Sequence, residues 1–397
     1  MSTRKIEQPC AVVIGLDFIT GLQTARILAG HRVPVIGVAK NPKHFCCRTR
    51  VCTQILFADT ASCELINTLV TLGPKLLQKA VLFPCTDMSV LLISRHREKL
   101  ERCYHVVLPE PKVVEMLINK LSFYTYAQEK GLPVPRMFFL NNRADAEQAV
   151  EKLTFPCVLK PPIKTPNWEK HTKAKVFKVF SVEEFLSLYD RCSTWTEVLI
   201  VQEWIEGGDE SLYTCNCYFS ADSKPVATFV SRKLRQWPAE IGQGCLAEEC
   251  SNDIVLYETI KLFQSVGYRG LGYLEMKRDA RTGKYFITEP NIGRPTGRSA
   301  MAEAGGVDLL YAKYCDTVGL PLPPNLEQKY GGIKWIDFTR DFQSALHYWR
   351  RGDLTLKELL RSWRGRKTYA VFSWTDPAPF WWDLLEYLSK NYGPRKL

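Results

Sequence analysis

The chain has 397 residues, 46% of them hydrophobic and 24% charged, values that suit a soluble globular protein of two or three domains. No apolar run is long enough to span a bilayer, and the opening MSTRKIEQPC has no signal-peptide segment, so a cytoplasmic protein without stable membrane insertion is expected. Lys and Arg number 53 against 42 Asp and Glu, a net charge of +11 that lies in separate clusters and not in one basic arm. A nucleic-acid binder needs a recognised module or an aromatic–basic face, and the charge distribution shows neither, which favours anionic small molecules as partners. The 14 cysteines are scattered with no C-x-x-C pair and read as small core residues, not as zinc ligands or disulfides.

From the N-terminus, AVVIG (11–15) is a short apolar strand feeding a turn and an amphipathic helix, LDFITGLQTARILAG. VPVIGVA (33–39), TQILFAD, KAVLFPCTD and YHVVLPEP continue the alternation of strand and helix, which predicts a parallel, doubly wound sheet over roughly the first hundred residues. Gly15 and Gly21 lack the G-x-G-x-x-G spacing and argue for tight strand-to-helix geometry, only weakly for a dinucleotide. Thr86 and Asp87 read as a helix cap at the end of a strand, a place that often faces ligand, although capping needs none. Over 111–140 helix follows helix, stopped by Gly131 and drawn into an extended exit by Pro133 and Pro135. FPCVLKPP (155–162) is a strand ending in Lys160, VFKVFS (176–181) is another, and a capped helix then leads to VLIVQEWIEG (198–207). GLGYLEMK and KYFITEPN, joined by RDARTG, form a hairpin. The proline-rich GLPLPPNLEQ (319–328) separates a C-terminal piece that ends in an aromatic helix.

The hairpin carries the strongest chemistry. Alternation puts Ile287, Glu289 and Asn291 on one side of its second strand, and Tyr273, Glu275 and Lys277 on one side of the first. A turn centred near Thr282 sets Glu275 opposite Glu289, with Cβ atoms about 5 Å apart, where two carboxylates repel unless neutralised. Two carboxylates and an amide oxygen suit Mg2+ bridging nucleotide phosphates; alternatively, one glutamate points to solvent or pairs with Lys277 or Arg278. Lys120, after a helix, and Lys160, at a strand end before two prolines, are placed to meet a phosphate as point charges. Lys164, Lys170, Lys173 and Lys175 form a flexible basic loop next to Lys160, either over the phosphates or simply solvated. Gln202, Glu203, Trp204 and Ile205 offer backbone groups and an apolar wall to an adenine, with Glu210 at the ribose hydroxyls after the Gly207–Gly208 turn.

Taken in order, these residues resemble the ATP-grasp superfamily over about the first 320 residues, most of all its predicted carboxylate–amine ligase branch, similar in its N-terminal half to carbamoyl-phosphate synthetase. The ending RKTYAVFSWTDPAPFWWDLL also resembles that branch. The resemblance implies a mixed α/β and α+β chain: a Rossmann-like domain (1–112), an ATP-grasp small lobe (113–200), a large lobe with the metal site (201–322) and a C-terminal extension (323–397). By position it implies Lys120 and Lys160 at phosphate and adenine, Gln202 to Ile205 at adenine, Glu210 at ribose, and Glu275, Glu289 and Asn291 as metal ligands. Many relatives have a glycine-rich loop over the phosphates; this chain has no glycine between Gly131 and Gly207, and Lys175 is the candidate to replace it. Many relatives also carry an arginine two residues after the metal-binding asparagine, where this chain has Gly293, with Arg294 one later. Arg232 and Lys233 are expected to reach the transferred phosphate or the substrate carboxylate, and Arg298 to bind a second carboxylate bidentately.

The implied activity is an ATP- and Mg2+-dependent ligase, with Mn2+ as an alternative metal. It phosphorylates a small-molecule carboxylate and joins it to an amine, most simply an amino acid, releasing ADP and phosphate. Such chemistry relies on positioning and charge neutralisation, not on a protein nucleophile, and the sequence has no H-E-x-x-H or G-x-S-x-G. Two other readings stay open: activation of an enol or ketone oxygen before amine attack, and a non-catalytic nucleotide-binding regulator. A homodimer is implied by the resemblance alone. Trp381 and Trp382 are expected to pack onto the main body.

Overall fold

Five short strands near the N-terminus form a parallel sheet in the order β3-β2-β1-β4-β5: β1 (Ala11–Ile14), β2 (Val35–Ala39), β3 (Gln54–Phe57), β4 (Ala80–Pro84) and β5 (Tyr104–His105). Every residue of β1, β2 and β4 is buried, which is why they are continuous apolar runs and not alternating ones. This is the doubly wound sheet expected from the sequence. Thr86 caps the Asp87–Arg95 helix through a reciprocal pair with Ser89, leaving Asp87 in the first turn. The computed structural model describes residues 8–162, 165–174, 176–240 and 242–392. The chain divides into two units, one of Met1–Ile118, Gly208–Glu275 and Glu289–Leu397, the other of Asn119–Gly207 and Met276–Thr288.

The second unit contains an antiparallel sheet of order β6-β9-β7-β8, with β6 (Met137–Leu140), β7 (Cys157–Lys160), β8 (Phe177–Val179) and β9 (Leu199–Glu203). Cys157, Leu159, Leu199 and Val201 join a core with Ala146 and Ala149 of the Arg143–Val150 helix and with Phe185 and Leu188 of the Val182–Cys192 helix. The alternate residues Val158, Lys160, Ile200 and Gln202 pair across β7 and β9 on the opposite face. The expected flexible basic loop is ordered where it is described. Thr165 caps a helix at Pro166–His171, and Trp168 within it is fully buried, edge-on to Trp195 at 5.4 Å. An aromatic anchor of this size outweighs the solvation of the lysines around it. Lys164 and Lys175 lie outside the described residues.

A seven-stranded sheet has the order β14-β13-β10-β11-β12-β15-β16. Its strands are β10 (Leu212–Phe219), β11 (Pro225–Trp237), β12 (Gln243–Glu249), β13 (Gly270–Arg278), β14 (Tyr285–Ile292), β15 (Lys334–Ile336) and β16 (Lys367–Tyr369). The C-terminal residues therefore extend this sheet through β15 and β16. They are held by charge: Asp341, fully buried, accepts two 2.8 Å hydrogen bonds from Arg235 on β11 and one of 2.7 Å from Trp363 Nε1. Asp376 likewise accepts from Arg26 Nε at 2.9 Å and from Thr49. Trp381 and Trp382 depart from expectation, being 57% and 48% exposed. Phe380 turns inward in their place, and the Arg48 guanidinium lies over Trp382, 4.4 Å from its ring centroid. Among the described residues no helix is long and apolar enough to cross a membrane.

Trp168→Ala should destabilise the protein by about 3–5 kcal/mol, the usual cost of deleting a buried indole. Urea unfolding followed by circular dichroism measures this, and a cost below about 1 kcal/mol would show that the basic segment is not anchored there.

Candidate active site

Glu275 projects from β13 into a pair of cations. Its carboxylate lies 3.4 Å from Lys233 Nζ on β11 and 3.6 Å from Arg298 Nη2. Lys233 is 6% exposed and Arg298 is 8% exposed, so these charges are largely removed from water and need one another. Burial pushes the Glu275 carboxyl up, but Lys233, Arg298 and Arg294 outweigh it and hold the group below its ordinary value. Gly244 on β12 makes the arrangement possible: a Cβ there would sit 3.2 Å from Arg298 Nη1 and 3.3 Å from Lys233 Cγ. Arg298 Nη2 also donates to Thr214 Oγ1 at 3.1 Å, whereas its buried Nε has no hydrogen-bond partner among the described residues.

The displaced arginine after Asn291 has a structural cause. Gly293 has φ +69°, and a Cβ on it would come within 2.5 Å of Leu108 Cδ2 and 2.8 Å of Val90 Cγ1. Only glycine makes this turn comfortably. The chain then returns Arg294 towards the hairpin, where Nη2 donates to Asn291 Oδ1 at 2.5 Å and Nη1 to Tyr273 Oη at 2.6 Å. Arg294 Nε donates to Asp87 Oδ1 at 2.5 Å, so the first turn of an N-terminal helix contributes to the same cluster. Burial works against the guanidinium charge, but Tyr273 and Asp87 more than compensate and raise its pKa. Burial in the same place pushes the Tyr273 phenol up to about 12.

The remaining sequence-derived residues fall in several places. Arg232 does not join Lys233. Neighbours on a strand project to opposite faces, and Arg232 pairs across the register with Glu248, at 2.7 Å from Nε and 2.6 Å from Nη2. Asn291 is buried and Glu289 half-buried on β14. In the second unit, Lys160 Nζ donates to Gln202 Oε1 at 2.7 Å, bringing two expected nucleotide contacts together. Glu203 turns its carboxylate to the Thr154 backbone N–H at 2.9 Å. Ile205 is buried, and Trp204 is flanked by Lys178 Nζ at 4.3 Å and Lys277 Nζ at 4.8 Å from its ring centroid. Lys178 was missed; its only signal was a polar residue inside the apolar run VFKVFS. Lys120 is the exposed first residue of the Lys120–Glu129 helix. Glu210 belongs to the first unit, where a Cβ on Gly208 would meet its Oε2 at 2.5 Å. Lys175 lies outside the described residues.

Glu275, Glu289 and Asn291 are the expected Mg2+ ligands, and two carboxylates and an amide oxygen are donors such an ion takes; here Glu275 faces Lys233 and Arg298, and the Asn291 oxygen accepts from Arg294. The cations around them suit polyphosphate or carboxylate oxygens. No protein-family model matches the chain. The chain is 27% identical over 336 residues to a D-aspartate ligase of Enterococcus faecium, covering 80% of this chain and 78% of that protein. It is 23% identical over 215 residues to a D-alanine–D-alanine ligase of Stutzerimonas stutzeri, covering 49% and 62%. Its fold is that of the ADP complex of N5-carboxyaminoimidazole synthetase from Staphylococcus aureus, with TM-score 0.64, 13% identity, and 82% and 81% of the two chains aligned.

Glu275→Gln removes the shared counter-charge of two buried cations and should cost about 3–5 kcal/mol near neutral pH. Because folding lowers this group's pKa, its contribution is complete above the unfolded value near 4.5 and is lost as pH falls through the folded value. Denaturant melts against pH should therefore show the gap between wild type and variant closing in acid. A gap that persists or widens there would contradict the pairing.

Proposed function

We propose that this chain, an ATP-grasp ligase that forms a C–N bond using ATP and Mg2+, activates a small-molecule acid and joins it to the amino group of an amino acid. The observation that carries this reading is the Arg298 guanidinium. It is buried, held at one end by Thr214 and Glu275, and its Nε proton faces no acceptor among the described residues. A buried charged donor without an acceptor is costly, and a carboxylate or phosphate oxygen satisfies it. Lys233 stands next to it, on the same carboxylate. The sequence relationship to a D-aspartate ligase over 80% of this chain supports an amino acid among the substrates.

In this reading the γ-phosphate passes from ATP to a carboxylate oxygen of the acid, giving an acyl phosphate and ADP. The amine then attacks the acyl carbon, its proton is lost and phosphate leaves. Glu275, Glu289 and Asn291 would hold Mg2+, which would neutralise charge on the ATP phosphates. Arg294 orients the Asn291 amide and is itself fixed by Asp87 and Tyr273, so the ligand oxygen needs little reorganisation. Within the second unit, Lys160, bonded to Gln202, and Lys120 are the residues the family resemblance assigns to the nucleotide's phosphates, with Trp204 and Ile205 assigned to its base. Lys233 and Arg298 hold the acid's oxygens for in-line transfer.

A screen of amino acids against small carboxylates, reading ADP and phosphate release and the product by mass spectrometry, should find ADP formation that needs both substrates. In the same assay Glu289→Ala and Asn291→Ala, folded by circular dichroism, should lose at least about 100-fold in turnover. Retained turnover in either would remove these residues from the site.

A further inference from the structure

Away from Glu275, three metal-ligating side chains converge from three elements of the first unit. His31 follows the Ile19–Gly30 helix, Glu303 lies in the Ser299–Ala304 helix, and Asp308 precedes the Leu309–Val318 helix. One ligand atom from each lies within 4.8 Å of the others. His31 Nε2 is 3.2 Å from Glu303 Oε2, and the imidazole is stacked on Tyr311 with ring centroids 4.0 Å and planes 7° apart, which fixes its orientation. Asn325 Nδ2 donates to Asp308 Oδ2 at 3.2 Å, the kind of outer hydrogen bond that aims a ligating carboxylate. Glu303 Oε1 is buried and has no hydrogen-bond partner among the described residues.

The three side chains bring together two carboxylates and at most one positive charge. One imidazolium can balance one of the two carboxylates and leaves Glu303 Oε1 unpartnered. A divalent cation answers both needs. The donors are one imidazole nitrogen and two carboxylates, which favours Zn2+ and related transition ions, whereas Mg2+ prefers oxygen alone. Zn2+ bonds of about 2.0–2.2 Å place tetrahedral ligand atoms roughly 3.3–3.5 Å apart. The His31–Glu303 pair is already near that spacing, and all three ligand atoms lie within 4.8 Å of one another.

We propose that His31, Glu303 and Asp308 form a structural site for a transition-metal dication of the Zn2+ class, separate from the nucleotide Mg2+. Its position has a consequence for the ligase site. Arg298 caps the N-terminal end of the same six-residue helix that carries Glu303. A metal would tie down the far end of the helix whose near end holds Arg298 against Glu275.

The test uses the full chain stripped of metal, titrated with Co2+ and followed by visible absorption. The wild type should bind one equivalent with a moderate d–d band and without the intense near-ultraviolet band of cobalt–thiolate bonding. Zn2+, but not Mg2+, should displace it. His31→Gln, Glu303→Gln and Asp308→Asn, each folded by circular dichroism, should bind at least about tenfold more weakly. Zn2+ should raise the wild-type Tm and leave that of the variants unchanged. The site is overturned if the wild type shows no such band, if its spectrum is of the thiolate type, or if the three variants bind as tightly as wild type. The wild-type spectrum decides the matter even if a variant fails to fold.

Discussion

A carboxylate removed from water must be matched by positive charge within a few ångströms, and in this protein Glu275 is matched twice, by Lys233 and Arg298. Much of the large sheet's local structure follows from that requirement. Lys233 has to leave β11 on one face while Arg232 leaves it on the other. Gly244 has to be without a side chain, because two cationic stems pass over it. The turn at Gly293 has to bring Arg294 back onto Asn291 and Tyr273 before the chain reaches Arg298. In the proposed reaction, the same charges that keep Glu275 ionised would meet a phosphate or carboxylate group.

The C-terminal residues contribute to this stiffness. Arg235, two residues beyond Lys233 on the same strand, is clamped bidentately by the fully buried Asp341. Asp209 adds hydrogen bonds to the Gln236 backbone and side chain, both at 2.8 Å, and accepts another from Tyr348 at 2.8 Å. The end of β11 just beyond Lys233 is thus fixed at two successive residues. Removal of the C-terminal helices would unpair Arg235, so these helices are part of what fixes the end of β11.

The architecture was largely legible in the sequence because its signals are local. Continuous apolar runs marked β1, β2 and β4, and alternation marked the hairpin that carries Glu275, Glu289 and Asn291. What escaped depends on partners distant in the chain. Arg232 and Lys233 read as a pair because both are basic, although strand alternation separates them and Glu248 on the next strand claims the first. Gly293 looked like a displaced family position, and its cause lies with Leu108 and Val90, far away in sequence. A lysine-rich segment read as a loose loop, while one tryptophan within it was enough to anchor it. Asp87 was visible as a capping residue, but its bond to Arg294, 207 positions later, was not. Trp381 and Trp382 were expected inside because they are large and apolar, yet the helix turns Phe380 inward and leaves them half in water.

In the proposed reaction, phosphate passes to a carboxylate oxygen before the amine attacks. With the acid labelled in its carboxylate by 18O, one labelled oxygen per turnover should appear in the released inorganic phosphate, with ADP as the nucleotide product. Phosphate that carries no label, or AMP and pyrophosphate in place of ADP, would contradict the account.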